Sequence, residues 1–172
     1  MKKGYVQVYT GDGKGKTTAA LGLAMRAAGA GLKVYVAQFV KGMDYAELHS
    51  CAAMRDRITV RQYGTQQFVR EQREADAEQL ARTGLRETRE ILLSGAYEVV
   101  ILDEANVATF YELFDVEDLL DVIHAKPDHV ELVITGRNAD ARIIERADLV
   151  TEMREIKHYY VRGITARPGI EY

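Results

Sequence analysis

The chain has 172 residues, of which 47% are hydrophobic and 28% are charged, and 26 acidic residues against 23 basic ones give a net charge of −3. This composition is typical of one globular domain and excludes a disordered chain, while the acidic balance argues against a general nucleic-acid-binding surface. The single Cys51 excludes an intramolecular disulfide. No apolar run is long enough for a membrane span, and the start of the chain leaves no room for a signal peptide, so we expect a cytoplasmic protein.

The first predicted strand, residues 5–9, leads into a glycine-rich loop and then into a helix of small residues at 18–28. A strand, a glycine loop ending in Lys-Thr and a helix form the phosphate-binding P-loop arrangement. The glycines let backbone N–H groups point at an anion, and the helix N-terminus adds partial positive charge. The sequence therefore predicts a polyphosphate site here, with a glycine turn that merely caps a helix as the alternative.

The residues expected to contact the polyphosphate are Thr10, Gly11, Asp12, Gly13, Lys14, Gly15, Lys16, Thr17 and Thr18. Lys16 is placed to bridge phosphate oxygens, and the hydroxyl of Thr17 is placed to bind Mg²⁺. Thr10 stands where the usual pattern has its first glycine, and Lys14 adds a second cation two residues before Lys16.

Residues 33–39 are predicted to form a second, mostly buried strand. The strand, helix and strand make a right-handed parallel crossover, which requires a sheet covered by helices on both faces. Lys41 follows the second strand at the carboxyl edge, where open α/β sheets bind ligands. It is a candidate contact for phosphate or substrate, and a solvated loop lysine is the alternative.

The next predicted elements are a short helix at 44–56, a strand at 58–64 and a long helix from about residue 70 to residue 93. The helix is indicated by apolar residues that recur at spacings of three and four. Phe68 lies in the polar loop before it. An aromatic residue in that position is either an anchor in the core or a ligand-facing lid, and the sequence leaves both open.

The second strong pattern is an apolar strand at 98–104 that ends in Asp103 and Glu104. This is what a Walker B element requires, since Asp103 can hold Mg²⁺ directly or through water beside Thr17. Glu104 can orient water or bind the metal. A strand whose end is acidic by chance is the alternative interpretation.

The remaining chain is predicted to form helices at 115–125 and 139–147 and strands at 131–138 and 148–158. Arg137 falls at the ligand edge of the sheet. No linker or repeat interrupts the chain, so we expect a single domain over residues 1–172. The predicted fold is α/β, a three-layer P-loop NTPase (RecA-like) arrangement with a mostly parallel central sheet.

These patterns indicate a domain that binds a magnesium nucleotide, but they do not name a reaction. A kinase would need an acceptor-activating base and an Arg-rich lid, and neither is evident in the sequence. A small P-loop ATPase or nucleotide kinase, and a nucleotide-gated carrier or sensor without turnover, both stay open at this point.

The motifs of the chain together resemble those of the P-loop ATP:corrinoid adenosyltransferases of cobalamin synthesis and salvage. Besides the P-loop, the similar segments are 38–42 (QFVKG), 73–76 (READ), 102–104 (LDE), 135–138 (TGRN), 147–154 (ADLVTEMR), 156–158 (IKH) and 163–172 (GITARPGIEY). The similarity extends over essentially the whole chain in order, and it accounts for the threonine at position 10.

The resemblance implies transfer of the 5′-deoxyadenosyl group of ATP to Co(I) of a corrinoid, with release of triphosphate. ATP then lies in the P-loop, with Lys14 and Lys16 on the triphosphate and Mg²⁺ between Thr17 and Glu104, assisted by Asp103. Lys16 and Glu104 are the residues expected to matter most for catalysis.

The resemblance also implies partners and further contacts. Arg137 is expected to contact ATP, and Phe68 and Lys41 are expected to face the corrinoid. An electron donor such as a flavoprotein would supply Co(I), and members of the family are commonly homodimers. No nucleic acid or membrane partner is expected.

Overall fold

The structure, a computed structural model, describes residues 2–65 and 75–172. Its strands are β1 (Val6–Thr10), β2 (Val34–Phe39), β3 (Ile58–Tyr63), β4 (Val99–Asp103), β5 (Glu131–Thr135) and β6 (Leu149–Glu152). Its helices are α1 (Lys16–Gly29), α2 (Ala46–Ala52), α3 (Ala75–Leu93), α4 (Ala105–Phe110), α5 (Val116–Ala125) and α6 (Ala141–Arg146), followed by a 3₁₀ helix at Tyr159–Arg162.

The six described strands form one sheet in the order β3-β2-β4-β5-β1-β6. Every pairing among them is parallel. Parallel strands all end at the same edge of a sheet, and this edge therefore gathers the loops that follow β1, β2, β4 and β5. The predicted α/β fold with its parallel central sheet is confirmed.

Two apolar layers cover the faces of the sheet. On one face α1 presents small residues at spacings of four and three, which bring the helix close to the strands. The buried residues of this layer are Ala20, Ala24, Ala27, Val34, Val36, Cys51, Ile58, Val99, Ile101 and Val133. The opposite face is covered by α3, α5 and α6, whose buried side chains include Leu85, Leu119 and Ile143. These are the three layers predicted from the sequence.

The last strand is shorter than predicted. Residues 148–158 were expected to form a strand, but β6 ends at Glu152, so this prediction is wrong beyond that residue. The chain turns there onto the glycine loop, because the N–H of Gly13 donates to the carbonyl of Met153 at 2.7 Å. The short helix α4, directly after Glu104, was not predicted at all.

The predicted beginning of the long helix near residue 70 lies outside the described residues, as does Phe68. The described part of the helix runs from Ala75 to Leu93. Within residues 2–65 and 75–172, no helix has both the length and the apolar content that crossing a bilayer demands.

Gly84 on α3 provides a test of how tightly the helix packs on the sheet. A Cβ at this position would lie 2.3 Å from Cγ of Tyr63. The hydroxyl of this buried ring hydrogen-bonds with the Tyr35 hydroxyl and donates to the carboxylate of Glu87. We expect Gly84→Ala to lower the free energy of unfolding by about 1–3 kcal/mol, because the core must shift to admit the methyl group. Urea denaturation measures this change.

The matched control is Gly22→Ala on α1, where an added Cβ would meet no atom within 4 Å. Alanine is the better helix former, so this substitution is expected to raise the free energy of unfolding by up to about 1 kcal/mol. Equal effects of the two substitutions would contradict the close approach of α3 to Tyr63.

Candidate active site

The glycine loop between β1 and α1 encloses the side chain of Lys16. Gly11 and Gly15 adopt positive φ angles of 94° and 122°, which glycine reaches without steric cost. The Lys16 ammonium donates to the carbonyls of Gly11 at 2.6 Å and Gly13 at 2.8 Å. Burial lowers the pKa of Lys16. The loop therefore holds one cation at its centre, as a phosphate-binding loop requires.

The outer side of the same loop is covered by the chain that leaves β6. A Cβ on Gly11 would lie 2.5 Å from the carbonyl oxygen of Met153, and one on Gly13 would lie 2.8 Å from that oxygen. Glycine at these two positions is thus required by packing as well as by the predicted phosphate contacts. The hydroxyl of Thr10 accepts a hydrogen bond from the Ala139 N–H at 3.4 Å.

Asp103, at the end of β4, is the hydrogen-bonding centre of the site and is 1% exposed. Its Oδ1 accepts hydrogen bonds from the hydroxyls of Thr17 at 2.8 Å and Thr135 at 2.7 Å. Its Oδ2 accepts from Nζ of Lys41 at 2.9 Å and from Nε2 of Gln38 at 3.3 Å. Donors from α1, β2, β5 and the loop after β2 thus converge on one carboxylate.

The oxygen atoms of Thr17 and Asp103 are suited to binding a magnesium ion. The Thr17 hydroxyl and the Asp103 carboxylate lie side by side, and Mg²⁺ prefers such oxygen ligands. Among the described residues no group of three or more His, Cys, Asp and Glu side chains comes together. A Mg²⁺ ion held here would take oxygens from Thr17 and Asp103, and Mg²⁺ commonly takes other ligands from substrate phosphates and water.

Glu104 follows Asp103 in a left-handed conformation, with φ of 61°. Its N–H donates to the Thr135 hydroxyl at 3.0 Å, so the residue that binds Asp103 also holds the Glu104 backbone. Non-glycine residues in this region are uncommon and are found preferentially at functional sites. Burial raises the pKa of the Glu104 carboxyl, and the charge of Asp103 raises it further.

The raised pKa of Glu104 makes a prediction about stability and pH. A carboxyl whose pKa is raised by folding stabilises the fold at low pH, and this contribution is lost as pH rises through the folded-state pKa. Glu104→Gln stays neutral, so the variant is expected to be more stable than the wild type at pH 8 and equally stable at pH 4. Thermal unfolding without nucleotide or divalent cation measures the difference.

The same substitution at exposed Glu155 controls for the loss of one negative charge. If the difference in stability between Glu104→Gln and the wild type is the same at pH 8 and pH 4, burying the charged Glu104 carboxylate does not destabilise the fold.

Lys41 lies within the site and is only 14% exposed. Besides Asp103, its ammonium contacts the Thr17 hydroxyl at 3.3 Å, the Glu47 carboxylate at 3.6 Å and the ring of Tyr45 at 5.3 Å from the centroid. Burial acts to lower the pKa of Lys41, but the carboxylates of Asp103, Glu47 and Glu104 together outweigh it and hold this pKa above its ordinary value. Lys41 is therefore a charged member of the cluster and not a solvated loop residue.

Arg137 also reaches the glycine loop, since its Nη2 donates to the carbonyl of Asp12 at 3.0 Å. The carboxyl end of β5 and the loop after β1 thus meet, as the sequence predicts. Thr18 lies in the first turn of α1 with its side chain exposed.

Lys14 has partners in the C-terminal segment. Its ammonium bonds to the carboxylate of Glu171 at 2.8 Å and the carbonyl of Ile170 at 2.6 Å, and the hydroxyl of Tyr159 also bonds to Glu171. The bond to Glu171 raises the pKa of Lys14, and the bond to Lys14 lowers that of Glu171. The C-terminal segment is thereby fastened to the glycine loop. The phosphate contact of Lys14 stays a prediction.

Sequence reasoning missed two residues of the Asp103 cluster, Gln38 and Thr135. Both are fully buried, and both stand in strands whose other buried residues are apolar. A polar side chain inside a buried strand needs a partner, and this was the signal that could have found them. The contacts of Tyr159 and Glu171 with Lys14 had no such signal, because they join residues about 150 positions apart.

The chain was compared with protein families and with characterised proteins. A family model described as ATP:corrinoid adenosyltransferase BtuR/CobO/CobP matches residues 2–172. The chain is 34% identical to the corrinoid adenosyltransferase CobA of Salmonella typhimurium, over 99% of this chain and 87% of the relative. It is 33% identical to a corrinoid adenosyltransferase of Pseudomonas aeruginosa, over 99% of this chain and 85% of the relative.

Proposed function

The chain belongs to the ATP:corrinoid adenosyltransferase family, and from this membership we propose that it transfers the 5′-deoxyadenosyl group of ATP to a corrinoid in cobalamin synthesis or salvage. In this reaction the electron pair of Co(I) in the corrinoid attacks C5′ of the ribose. The cobalt–carbon bond forms, the bond between C5′ and the triphosphate oxygen breaks, and triphosphate leaves.

The glycine loop is the proposed site of the triphosphate. Lys16, held by the carbonyls of Gly11 and Gly13, is positioned to exchange these weak acceptors for phosphate oxygens, to which an ammonium binds more strongly. Lys14 and Arg137 add positive charge at the rim of the loop. These residues stabilise the negative charge that collects on the leaving group, which is where electrostatic catalysis acts.

Thr17, Asp103 and Glu104 are the proposed residues around Mg²⁺. A magnesium ion bound there would neutralise phosphate charge and so improve triphosphate as a leaving group. Thr17 and Asp103 are already aligned by their mutual hydrogen bond of 2.8 Å. Thr135 holds both Asp103 and the Glu104 backbone, so it orients the acidic pair for this role.

The reaction needs no protein base, because the nucleophile is the cobalt of the substrate. The protein acts by positioning ATP and by electrostatic stabilisation. We therefore propose that Glu104 helps to bind the magnesium ion and does not activate water, since attack by water would hydrolyse ATP. A contact of Phe68 with the corrinoid, and a contact of Lys41 with either phosphate or corrinoid, are parts of the proposal that rest on family resemblance.

The same proposal extends to the setting of the enzyme. A single domain over residues 1–172 acts in the cytoplasm as a homodimer, and an electron donor such as a flavoprotein reduces the corrinoid to Co(I). Mg²⁺ accompanies ATP as the cofactor.

The observation that carries the proposal is the bonded pair of Thr17 and Asp103 beside Lys16, in a chain that matches the family model over residues 2–172. The experiment supplies Mg-ATP with and without a chemically reduced corrinoid. We expect triphosphate only when the corrinoid is present, together with the absorption spectrum of an adenosylated cobalt.

Other products would favour the competing functions. ADP formed without corrinoid would identify a small ATPase or nucleotide kinase. Saturable ATP binding without any product under strong reductant would identify a nucleotide-gated carrier.

A further inference from the structure

Lys41 places its ammonium against the oxygens of Asp103 and Thr17, the side chains proposed to bind a divalent cation. Its ammonium lies 2.9 Å from Oδ2 of Asp103 and 3.3 Å from the hydroxyl of Thr17. These are the two side chains whose oxygens fit Mg²⁺. The ammonium is also 3.6 Å from the carboxylate of Glu47, so two acidic groups neutralise it.

The backbone around Lys41 holds the side chain in this position. Val40 has φ of 60°, a conformation that is a genuine outlier for a β-branched residue and persists only where the surroundings enforce it. A Cβ on Gly42 would lie 2.4 Å from the carbonyl oxygen of Gly64, and one on Gly64 would lie 2.4 Å from the N atom of Lys41. The turn that carries Lys41 is therefore pressed against the end of β3.

If a divalent cation bound the Asp103 carboxylate while the Lys41 ammonium stayed beside it, the two positive charges would repel each other strongly. We propose that Lys41 is an internal counter-ion that keeps divalent cations off Asp103 and Thr17 until the triphosphate of a nucleotide arrives. The triphosphate then supplies new acceptors for the ammonium and new oxygens for the metal. Lys41 is thus a positioning residue that makes metal binding depend on nucleotide binding.

This inference rests on the proposed triphosphate site, and it has a direct consequence for the order of binding. The protein without nucleotide binds divalent cations poorly at Asp103, and the metal enters together with ATP. An ammonium is suited to this task because it matches part of the charge of the metal but is released readily when phosphate oxygens compete for it.

The test uses Mn²⁺ as a probe, with the full chain and no nucleotide. Free Mn²⁺ is measured by electron paramagnetic resonance for the wild type, Lys41→Met, Lys41→Arg and Asp103→Asn. We expect Lys41→Met to bind Mn²⁺ at least about tenfold more tightly than the wild type, because the competing charge is gone. Lys41→Arg keeps the charge and is expected to bind Mn²⁺ as weakly as the wild type.

If Lys41→Met does not fold, a comparison of Mn²⁺ binding by the wild type and by Asp103→Asn can still overturn the inference. We expect these two proteins to bind Mn²⁺ equally weakly, and we expect Mg²⁺ alone to leave the melting temperature of the wild type unchanged. Mn²⁺ binding by the wild type that Asp103→Asn removes would overturn the inference, as would a Lys41→Met affinity within twofold of the wild type. Adenosyl transfer is measured separately on the wild type, so failure of the inference leaves the proposed function standing.

Discussion

Lys16→Ala is expected to weaken ATP binding at least about a hundredfold and to abolish adenosyl transfer. Lys16 is 7% exposed, and among the described residues its ammonium donates to two carbonyls of its own loop, so it is positioned to exchange both bonds for phosphate oxygens. Each hydrogen bond to a charged group contributes about 1.5–3 kcal/mol, and losing two of them accounts for the expected change. Isothermal titration calorimetry with Mg-ATP measures the affinity.

Lys33→Ala is the matched control, because Lys33 is exposed and precedes β2 at the opposite edge of the sheet. It is expected to bind ATP as the wild type does. Wild-type affinity in Lys16→Ala would refute the assignment of the triphosphate to this loop.

Asp103→Ala is expected to abolish adenosyl transfer and also to destabilise the fold by about 3–5 kcal/mol. Removing this carboxylate leaves the Lys41 ammonium without its nearest counter-charge in a largely buried position, and breaking a buried ion pair on one side has a cost of this size. The hydroxyls of Thr17 and Thr135 also lose their acceptor. Urea denaturation measures the stability, and triphosphate release measures the transfer.

The double variant Lys41→Met with Asp103→Ala separates the two effects. Removing both charges is expected to restore at least about 2 kcal/mol of the lost stability, because no unpaired charge stays buried. Transfer is expected to stay absent, since the acidic group is still missing. A double variant no more stable than Asp103→Ala would show that the ion pair does not govern stability here.

The two phosphate-site elements could be recognised from sequence because each depends on neighbouring residues. The glycine loop needs a strand before it and a helix after it, and all three lie within 25 residues. Likewise the Asp103 and Glu104 pair directly ends an apolar strand. The prediction that both elements reach one edge of a parallel sheet is confirmed by the hydrogen bond between Thr17 and Asp103.

The predictions that failed concern segments whose conformation is set by distant contacts. The strand was expected to continue through residues 153–158, but β6 pairs only with β1 among the described strands, and the carbonyl of Met153 accepts a hydrogen bond from Gly13 of the glycine loop. Helix α4 was missed because it begins directly after Glu104, whose left-handed backbone is held by the hydroxyl of Thr135, 31 positions away.

The order of residues along the chain by itself determined that this protein has a parallel α/β sheet, a glycine loop after the first strand and an acidic end on β4, because local backbone geometry and hydrophobic periodicity specify these features. Only the tertiary structure decided that Lys41 sits on Asp103, that Thr135 joins Asp103 to Glu104, and that Glu171 holds Lys14. These contacts join residues that are 31 to 157 positions apart in sequence, and such residues meet only when the whole sheet has formed.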